Sequence, residues 1–99
     1  MLVQLDPTRG REIRKTRPCV VVSPNEMNGA LRTVVIAPMT TKGQDYPWRV
    51  PITFQGKSGR IAVDQMRTVD GERLLRQLGT LNAETAQSLL GILAEIFAP

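Results

Sequence analysis

GREIRKTRPCVVVSP, residues Gly10 to Pro24, decides the reading of this chain. Its first half is cationic and turn-forming. With Arg9 just ahead, Arg11, Arg14, Lys15 and Arg17 bring five positive charges into a segment with Gly10 and almost no apolar side chains. Its second half is the unbroken apolar run Cys19-Val20-Val21-Val22, which predicts a strand over Arg17–Ser23 buried on both faces. Pro18 fixes the start of that strand, and Pro24 with Asn25, Asn28 and Gly29 stops it. Cations held at the mouth of a rigid strand suit the gripping of a polyanion, RNA or DNA.

Outward from this stretch, Met1 to Leu5 predicts a short strand closed by the turn former Asp6-Pro7, and residues 7 to 16 an exposed loop. Arg32 to Ala37 predicts a second buried strand, ended by Pro38. A polar loop runs from Met39 to Pro47. Trp48 to Phe54 then alternates, with Trp48, Val50, Ile52 and Phe54 on one face and Arg49, Pro51 and Thr53 on the other. Pro51 cannot donate to a ladder, so this strand belongs at an edge or carries a bulge. Gln55 to Gly59 reads as a hairpin turn, and Arg60 to Asp64 as a strand with Ile61 and Val63 inward and Arg60, Ala62 and Asp64 outward. Strand character continues through Val69 and resumes around Leu75 to Leu81.

Only the end is helical in pattern. Asn82 is a good N-cap, Glu84 suits the first turn, and Ala86, Leu89, Leu90, Leu93, Ile96 and Phe97 follow helical spacing, which predicts a helix over Ala83–Phe97. Its stripe suits core or dimer packing, because the opposite face lacks the Lys and Arg of a membrane-surface helix. The fold class expected is mainly β (α+β), a small antiparallel SH3-like barrel of five to seven strands with a C-terminal helix.

Composition bounds the chemistry. A chain of 99 residues forms one domain, 1–99, and buries roughly 60–68% of its unfolded surface without help from metal or disulfides. Cys19 is the single cysteine and reads as a small buried hydrophobe. There is no histidine, which excludes Ser-His and Cys-His nucleophile pairs and leaves no zinc ligand set. No metal or other cofactor is expected. No secretory segment or run of 18 apolar residues is present, so a cytoplasmic protein without a membrane partner is expected. All 13 Lys and Arg precede position 82 and face seven acids there, whereas the last 18 residues hold only Glu84 and Glu95. A basic body with a weakly acidic tail fits phosphate binding, although small soluble proteins also reach a basic pI for solubility alone.

Three ordered blocks carry a resemblance. The first is Leu5-Asp6-Pro7-Thr8, Gly10, Glu12, Arg17-Pro18, an apolar strand and Ser23-Pro24. The second is Pro38-Met39-Thr40-Thr41 followed by Tyr46-Pro47, and the third is Asp64-Gln65-Met66-Arg67-Thr68-Val69-Asp70, followed by the terminal helix. In this order and spacing the chain resembles the MazF/PemK family of toxin endoribonucleases, which includes the Kid toxin, over essentially its whole length. The resemblance implies a PemK-type barrel and metal-independent, sequence-selective cleavage of single-stranded mRNA. The ribose 2′-hydroxyl attacks in line, leaving a 2′,3′-cyclic phosphate and a 5′-hydroxyl. It also implies a homodimer, silenced by a cognate antitoxin whose acidic disordered tail covers the RNA groove.

The family's catalytic arginine and threonine fall on Arg17 and Thr40. Arg17 suits an electrostatic clamp, since a guanidinium fork holds two phosphate oxygens while its permanent charge disfavours proton exchange. Thr40 offers a hydroxyl to a non-bridging oxygen, and Glu12 is the candidate base. Arg11, Arg14, Lys15, Thr41, Lys42, Arg60, Asp64, Gln65 and Arg67 are the expected RNA-binding residues. Kid-type members carry a histidine at the position of Arg11 and an arginine at that of Ala62, so of a Kid-like acid/base set only Asp64 survives; Arg60 stands two residues from Ala62 to supply charge.

Each residue also has a structural reading. Arg17 is a strand-end cation, Thr40 and Thr41 are turn residues, Glu12 pairs with Arg9 or Arg14, and Asp64 pairs with Arg67. Tyr46 and Trp48 stack on bases or, for Trp48, pack in the core. The alternative function is a non-catalytic toxin or nucleic-acid-binding module on the same fold, such as a CcdB-like gyrase poison. That class relies on a tryptophan near its end, and the run Glu95-Ile96-Phe97-Ala98-Pro99 has none.

Overall fold

Strand β3, Thr33–Thr40, is paired along both edges and organises the chain. A computed structural model describes residues 1–5 and 16–98. On one edge β3 meets β2, Thr16–Val21, with Cys19 opposite Pro38, Val20 opposite Ala37 and Val21 opposite Ile36. On the other edge its last two residues pair with β5, Lys57–Ala62, and its first four with β6, Arg67–Asp70. Between β5 and β6 lies the 3₁₀ turn Val63–Gln65, so the two strands form one interrupted and re-aimed edge. β1, Leu2–Gln4, extends the sheet beyond β2, and β7, Leu74–Arg76, beyond β1. β4, Arg49–Phe54, flanks β5. Two helices complete the order, α1 at Asn25–Ala30 and α2 at Ala83–Phe97.

The antiparallel sheet and terminal helix are as expected. The sheet does not close among the described residues: it runs β4-β5-β3-β2-β1-β7, with β6 alongside β3. Its two free edges explain this. β4 carries Pro51, which lacks a donor, while β7 has three residues and joins β1 across a register shift.

Pro38 does not end its strand. Val22 N donates to Val35 O at 2.9 Å, so the odd-numbered residues of β3 turn their amides toward β2. Pro38 turns its nitrogen the other way, to where the 3₁₀ turn interrupts the opposite edge and no donor is needed. The outward assignment of Ala62 is also overturned. Ile61, Ala62 and Val63 are all buried, because the strand pleat gives way to the 3₁₀ turn at this point. The strand stops before Pro24 as expected, and helix α1, which the sequence pattern does not predict, follows it. Asn28 and Gly29 are poor helix formers, and tertiary ties hold the segment: Ser23 Oγ donates to Asn28 Oδ1, and Asn28 Nδ2 donates to Ser23 O at 3.1 Å. The same Ser23 hydroxyl accepts from Val35 N at 3.0 Å.

Cores form on both sides of the β2–β3 ladder, as the unbroken apolar runs require. Val20 and Ala37 join Val50, Ile61, Val63 and Leu89 of α2. Cys19, Val34 and Ile36 join Val3 and Val69. Burying each Val, Ile or Leu contributes about 1.5–3 kcal/mol. The hairpin is tighter than expected: Gln55 and Gly56, at φ 51° and 77°, form a two-residue turn, and Lys57 already belongs to β5.

Helix α2 matches the sequence pattern, and Asn82 Oδ1 accepts from Thr85 N at 2.8 Å. Its apolar stripe divides, with Leu89 on the core and Leu90 and Phe97 exposed. Replacing Asn82 with Ala should lower stability by about 1 kcal/mol. In urea titrations this appears as an earlier midpoint with an unchanged slope.

Candidate functional site

Register builds the site. The β2–β3 pairing ends at Cys19 opposite Pro38, and Arg17 and Thr40 each stand two residues beyond that pair. Thr40 in turn pairs directly with Arg60, and Arg60 with Pro51. Direct partners in an antiparallel ladder share a face, as do residues two apart. Arg17, Thr40, Arg60 and Arg49 therefore stand on one face of the sheet.

Arg17 and Thr40 line a cleft of about 410 Å³ together with Thr41, Lys42 and Lys57. Arg17 is exposed and Thr40 half-buried. The Thr40 hydroxyl accepts from Lys42 N at 3.1 Å and donates toward Lys42 O at 3.3 Å. This is the turn anticipated for Thr40, and it aims Thr41 and Lys42 into the cleft. The hydroxyl keeps a second lone pair, and its donor is held only by a long bond, so it can be redirected to a ligand oxygen. Gly59 makes the close strand approach possible, since a Cβ there would lie 2.7 Å from the Thr40 carbonyl oxygen.

The other anticipated residues divide. Glu12, Arg11, Arg14 and Lys15 lie outside the described residues. Arg60 borders the row but is bound to the Asp45 carboxylate, and this hydrogen bond holds the Asp45 carboxyl below the usual carboxylate range. Asp64 pairs with Arg49, in place of Arg67: Nε and Nη2 of Arg49 reach its two carboxylate oxygens at 3.0 and 3.1 Å. The Arg49 hydrogen bonds depress the Asp64 carboxyl and raise Arg49 itself. Gln65 sits exposed in the 3₁₀ turn. Arg67 is opposite Ile36, outside the cleft. Burial pushes the Cys19 thiol up to about 11, with the charges of Arg17 and Arg67 opposing the shift, so the cysteine is inert packing.

Arg49 and Lys57 are the residues missed by sequence reasoning. In the sequence Arg49 reads only as an outward residue of an alternating strand, and Lys57 as part of a turn. Cross-strand register exposes Arg49, on the face of Arg60, whereas Lys57 pairs with Phe54 on the other face and joins the cleft only at the hairpin end. The aromatic pair is resolved against core packing: Tyr46 and Trp48 are exposed and stacked, ring centroids 4.8 Å apart and planes within 6°. A larger cavity of about 1110 Å³ adjoins the cleft, sharing Met39, Ile52, Phe54 and Gly59 with it; it contains neither Arg17 nor Thr40, and its only charged side chains among the described residues are Arg32 and Glu84. Among the described residues no group of His, Cys, Asp and Glu is placed to hold a metal ion, and no helix is long and apolar enough to cross a membrane.

Comparison with known proteins adds the family context. The PemK-like, MazF-like toxins of type II toxin–antitoxin systems match residues 1–97. The endoribonuclease toxin MazF of Escherichia coli K12 is 34% identical over 67 residues, covering 68% of this chain and 60% of MazF. The chain thus spans about three-fifths of that relative's length. The Escherichia coli endoribonuclease PemK is 35% identical over 102 aligned positions, covering 93% of this chain and 77% of PemK. A MazE–MazF structure from Deinococcus radiodurans superposes with a TM-score of 0.80 at 28% identity, covering 96% of this chain and 87% of that one.

Two substitutions test this geometry. Gly59→Ala should destabilise the fold by about 1–3 kcal/mol in denaturant titrations, because β5 must retreat from the Thr40 carbonyl. Gly29→Ala, with no atom within 4 Å of the added Cβ, should instead be neutral or gain up to about 1 kcal/mol. The Arg49–Asp64 pair predicts a pH dependence. Asp64 titrates below its unfolded value of about 3.9, so its contribution is complete above that value and lost as pH falls through the depressed folded value. The melting-temperature deficit of Asp64→Asn at pH 7 should therefore shrink toward zero on acidification.

Proposed function

Because the chain belongs to the PemK-like, MazF-like toxin family, we propose that it is an endoribonuclease toxin. It cuts single-stranded mRNA in the cytoplasm, without a metal, and is silenced by a cognate antitoxin. The observation that carries this reading is that Arg17 and Thr40 line one cleft with Lys42 and Lys57.

Each residue has a task in the in-line reaction. The ribose 2′-oxygen attacks the adjacent phosphorus as the bond to the 5′-oxygen breaks, yielding a 2′,3′-cyclic phosphate and a 5′-hydroxyl. Negative charge grows on the non-bridging oxygens. The guanidinium fork of Arg17 holds two of these oxygens, and the Thr40 hydroxyl donates to one of them. Both donors stand on a paired strand, so little reorganisation is required at the moment of reaction. Lys42 and Lys57 raise the local concentration of RNA. Glu12 is the proposed base for the 2′-hydroxyl proton, and solvent water supplies the proton that the departing 5′-oxygen takes up. Arg11, Arg14, Lys15, Thr41, Gln65 and Arg67 are assigned to RNA contacts along the basic body, while Arg60 and Asp64 act through the ion pairs that shape the neighbouring loop.

The partner reading follows from charge. The toxin domain, residues 1–99, pairs with a second copy, and RNA and the acidic antitoxin tail compete for the same basic groove. The relative from Deinococcus radiodurans, a MazE–MazF complex, supports an antitoxin partner.

The test is incubation of purified protein with single-stranded RNA in EDTA, followed by mapping of both ends. Cyclic phosphate and 5′-hydroxyl ends are expected, with Arg17→Ala and Thr40→Ala each slowing cleavage about 100- to 1,000-fold. Binding without cleavage, or cleavage only on addition of metal, overturns the reading.

A further inference from the structure

Four side chains form a stacked column beside the cleft. Asp64 grips Arg49 through two parallel hydrogen bonds of 3.0 and 3.1 Å. The Arg49 guanidinium lies over the Tyr46 ring, 5.4 Å from its centroid. Tyr46 stacks flat on Trp48. Neither aromatic packs against either hydrophobic core, and they remain 37% and 42% exposed. Folding thus explains how the rings are held but not why two large aromatics are kept in solvent.

The column adjoins the Arg17–Thr40 side of the cleft, since Arg49 shares a sheet face with Arg17, Thr40 and Arg60. The intervening loop leaves the cleft at Lys42 and is stapled back over β5 by Asp45–Arg60. It is tightened further by Tyr46 N donating to Gln44 O at 3.1 Å and Arg49 N to Tyr46 O at 3.0 Å. A segment so tied presents its aromatics with little entropy left to lose on binding.

Charge distinguishes what each surface takes. Around the column both arginines are neutralised by carboxylates, Arg49 by Asp64 and Arg60 by Asp45. A phosphate gains little there. In the cleft, Lys42 and Lys57 form no salt bridge among the described residues. Phosphate is drawn to the cleft, and a flat uncharged ring to the column.

We propose that Trp48, backed by Tyr46, Arg49 and Asp64, is a stacking seat for one unpaired nucleobase of an RNA strand whose phosphates lie in the Arg17–Thr40 cleft. The seat deepens the ribonuclease reading by assigning a specificity-determining contact, and it rests on RNA as the ligand. Stacking accepts every base but favours purines, which offer more area, so base choice at this position is graded.

Trp48 is the one tryptophan of the chain, so intrinsic fluorescence reports on the seat directly. The experiment titrates the full chain with a non-cleavable 2′-O-methyl RNA dodecamer of mixed sequence and, separately, with an abasic dodecamer of equal charge. The RNA should quench Trp48, while the abasic strand should compete for binding without quenching. Trp48→Ala should weaken dodecamer binding about 5- to 150-fold, the range for losing one base–aromatic stack, whereas Trp48→Phe should keep most of the affinity. The salt dependence of binding should be unchanged in Trp48→Ala, because no phosphate contact is lost; Arg17→Ala should instead lower its slope by about 0.7.

Equal quenching by the abasic strand, or Trp48→Ala binding within twofold of the parent, overturns the seat even if RNA is still cleaved. Quenching by a poly-glutamate peptide but not by RNA also overturns it, assigning the rings to a protein partner. Base-dependent quenching without cleavage supports the seat while the nuclease reading fails. The two conclusions therefore stand or fall separately.

Discussion

The ladder pairing Cys19–Val21 with Ile36–Pro38 is the constraint on which the rest of the molecule depends. Both strands are apolar on successive residues, so each face of the ladder demands a cover. Helix α2 and the β4–β5 hairpin meet one demand through Leu89, Val50 and Ile61. The other is met by β1 and β6 through Val3 and Val69. A one-residue slip would exchange the two faces and leave both cores mismatched, so the register is strongly determined. The same register turns Arg17 and Thr40, each two residues beyond the Cys19–Pro38 pair, to one side of the ladder. Function is thus placed by the hydrophobic pattern of residues that take no part in it.

Beyond the ladder, polar interactions divide the working face into two. Two arginines are bound to carboxylates and shape the loop between β3 and β4. The cations of the cleft are carried at strand ends and in turns, where they meet solvent. The division has a thermodynamic basis: exposed ion pairs add little stability but limit where a loop and its rings can point. Gly59 serves the same end sterically, allowing two backbones to approach so that Thr40 and Arg60 stand side by side.

Much of this was legible from residue order. The alternation of Trp48 to Phe54 identified an edge strand because Pro51 cannot donate, and the spacing from Ala86 to Phe97 with Asn82 ahead of it gave the terminal helix at its observed bounds. Arg17 and Thr40 were reached through family resemblance, and one cleft holds both. Other features were not legible. Helix α1 rests on Ser23 and Asn28 contacts that override weak propensity. Pro38 reads as a stop unless the direction of its missing donor is known. Asp64 was assigned to RNA contact or to Arg67, and its partner proved to be Arg49, fifteen residues away in sequence.

By itself the sequence determined the strand-rich class, the terminal helix, the two-sided burial of Cys19-Val20-Val21-Val22 and the exclusion of histidine chemistry, because these follow from local periodicity and composition. Only the tertiary structure decided which cations line the cleft and which are bound to carboxylates, where the strand edge breaks, and that Tyr46 and Trp48 stand in solvent beside Arg49. Those outcomes depend on cross-strand register and on which side of a pleat each residue turns. Both are set by contacts between segments distant in sequence, which local periodicity does not encode.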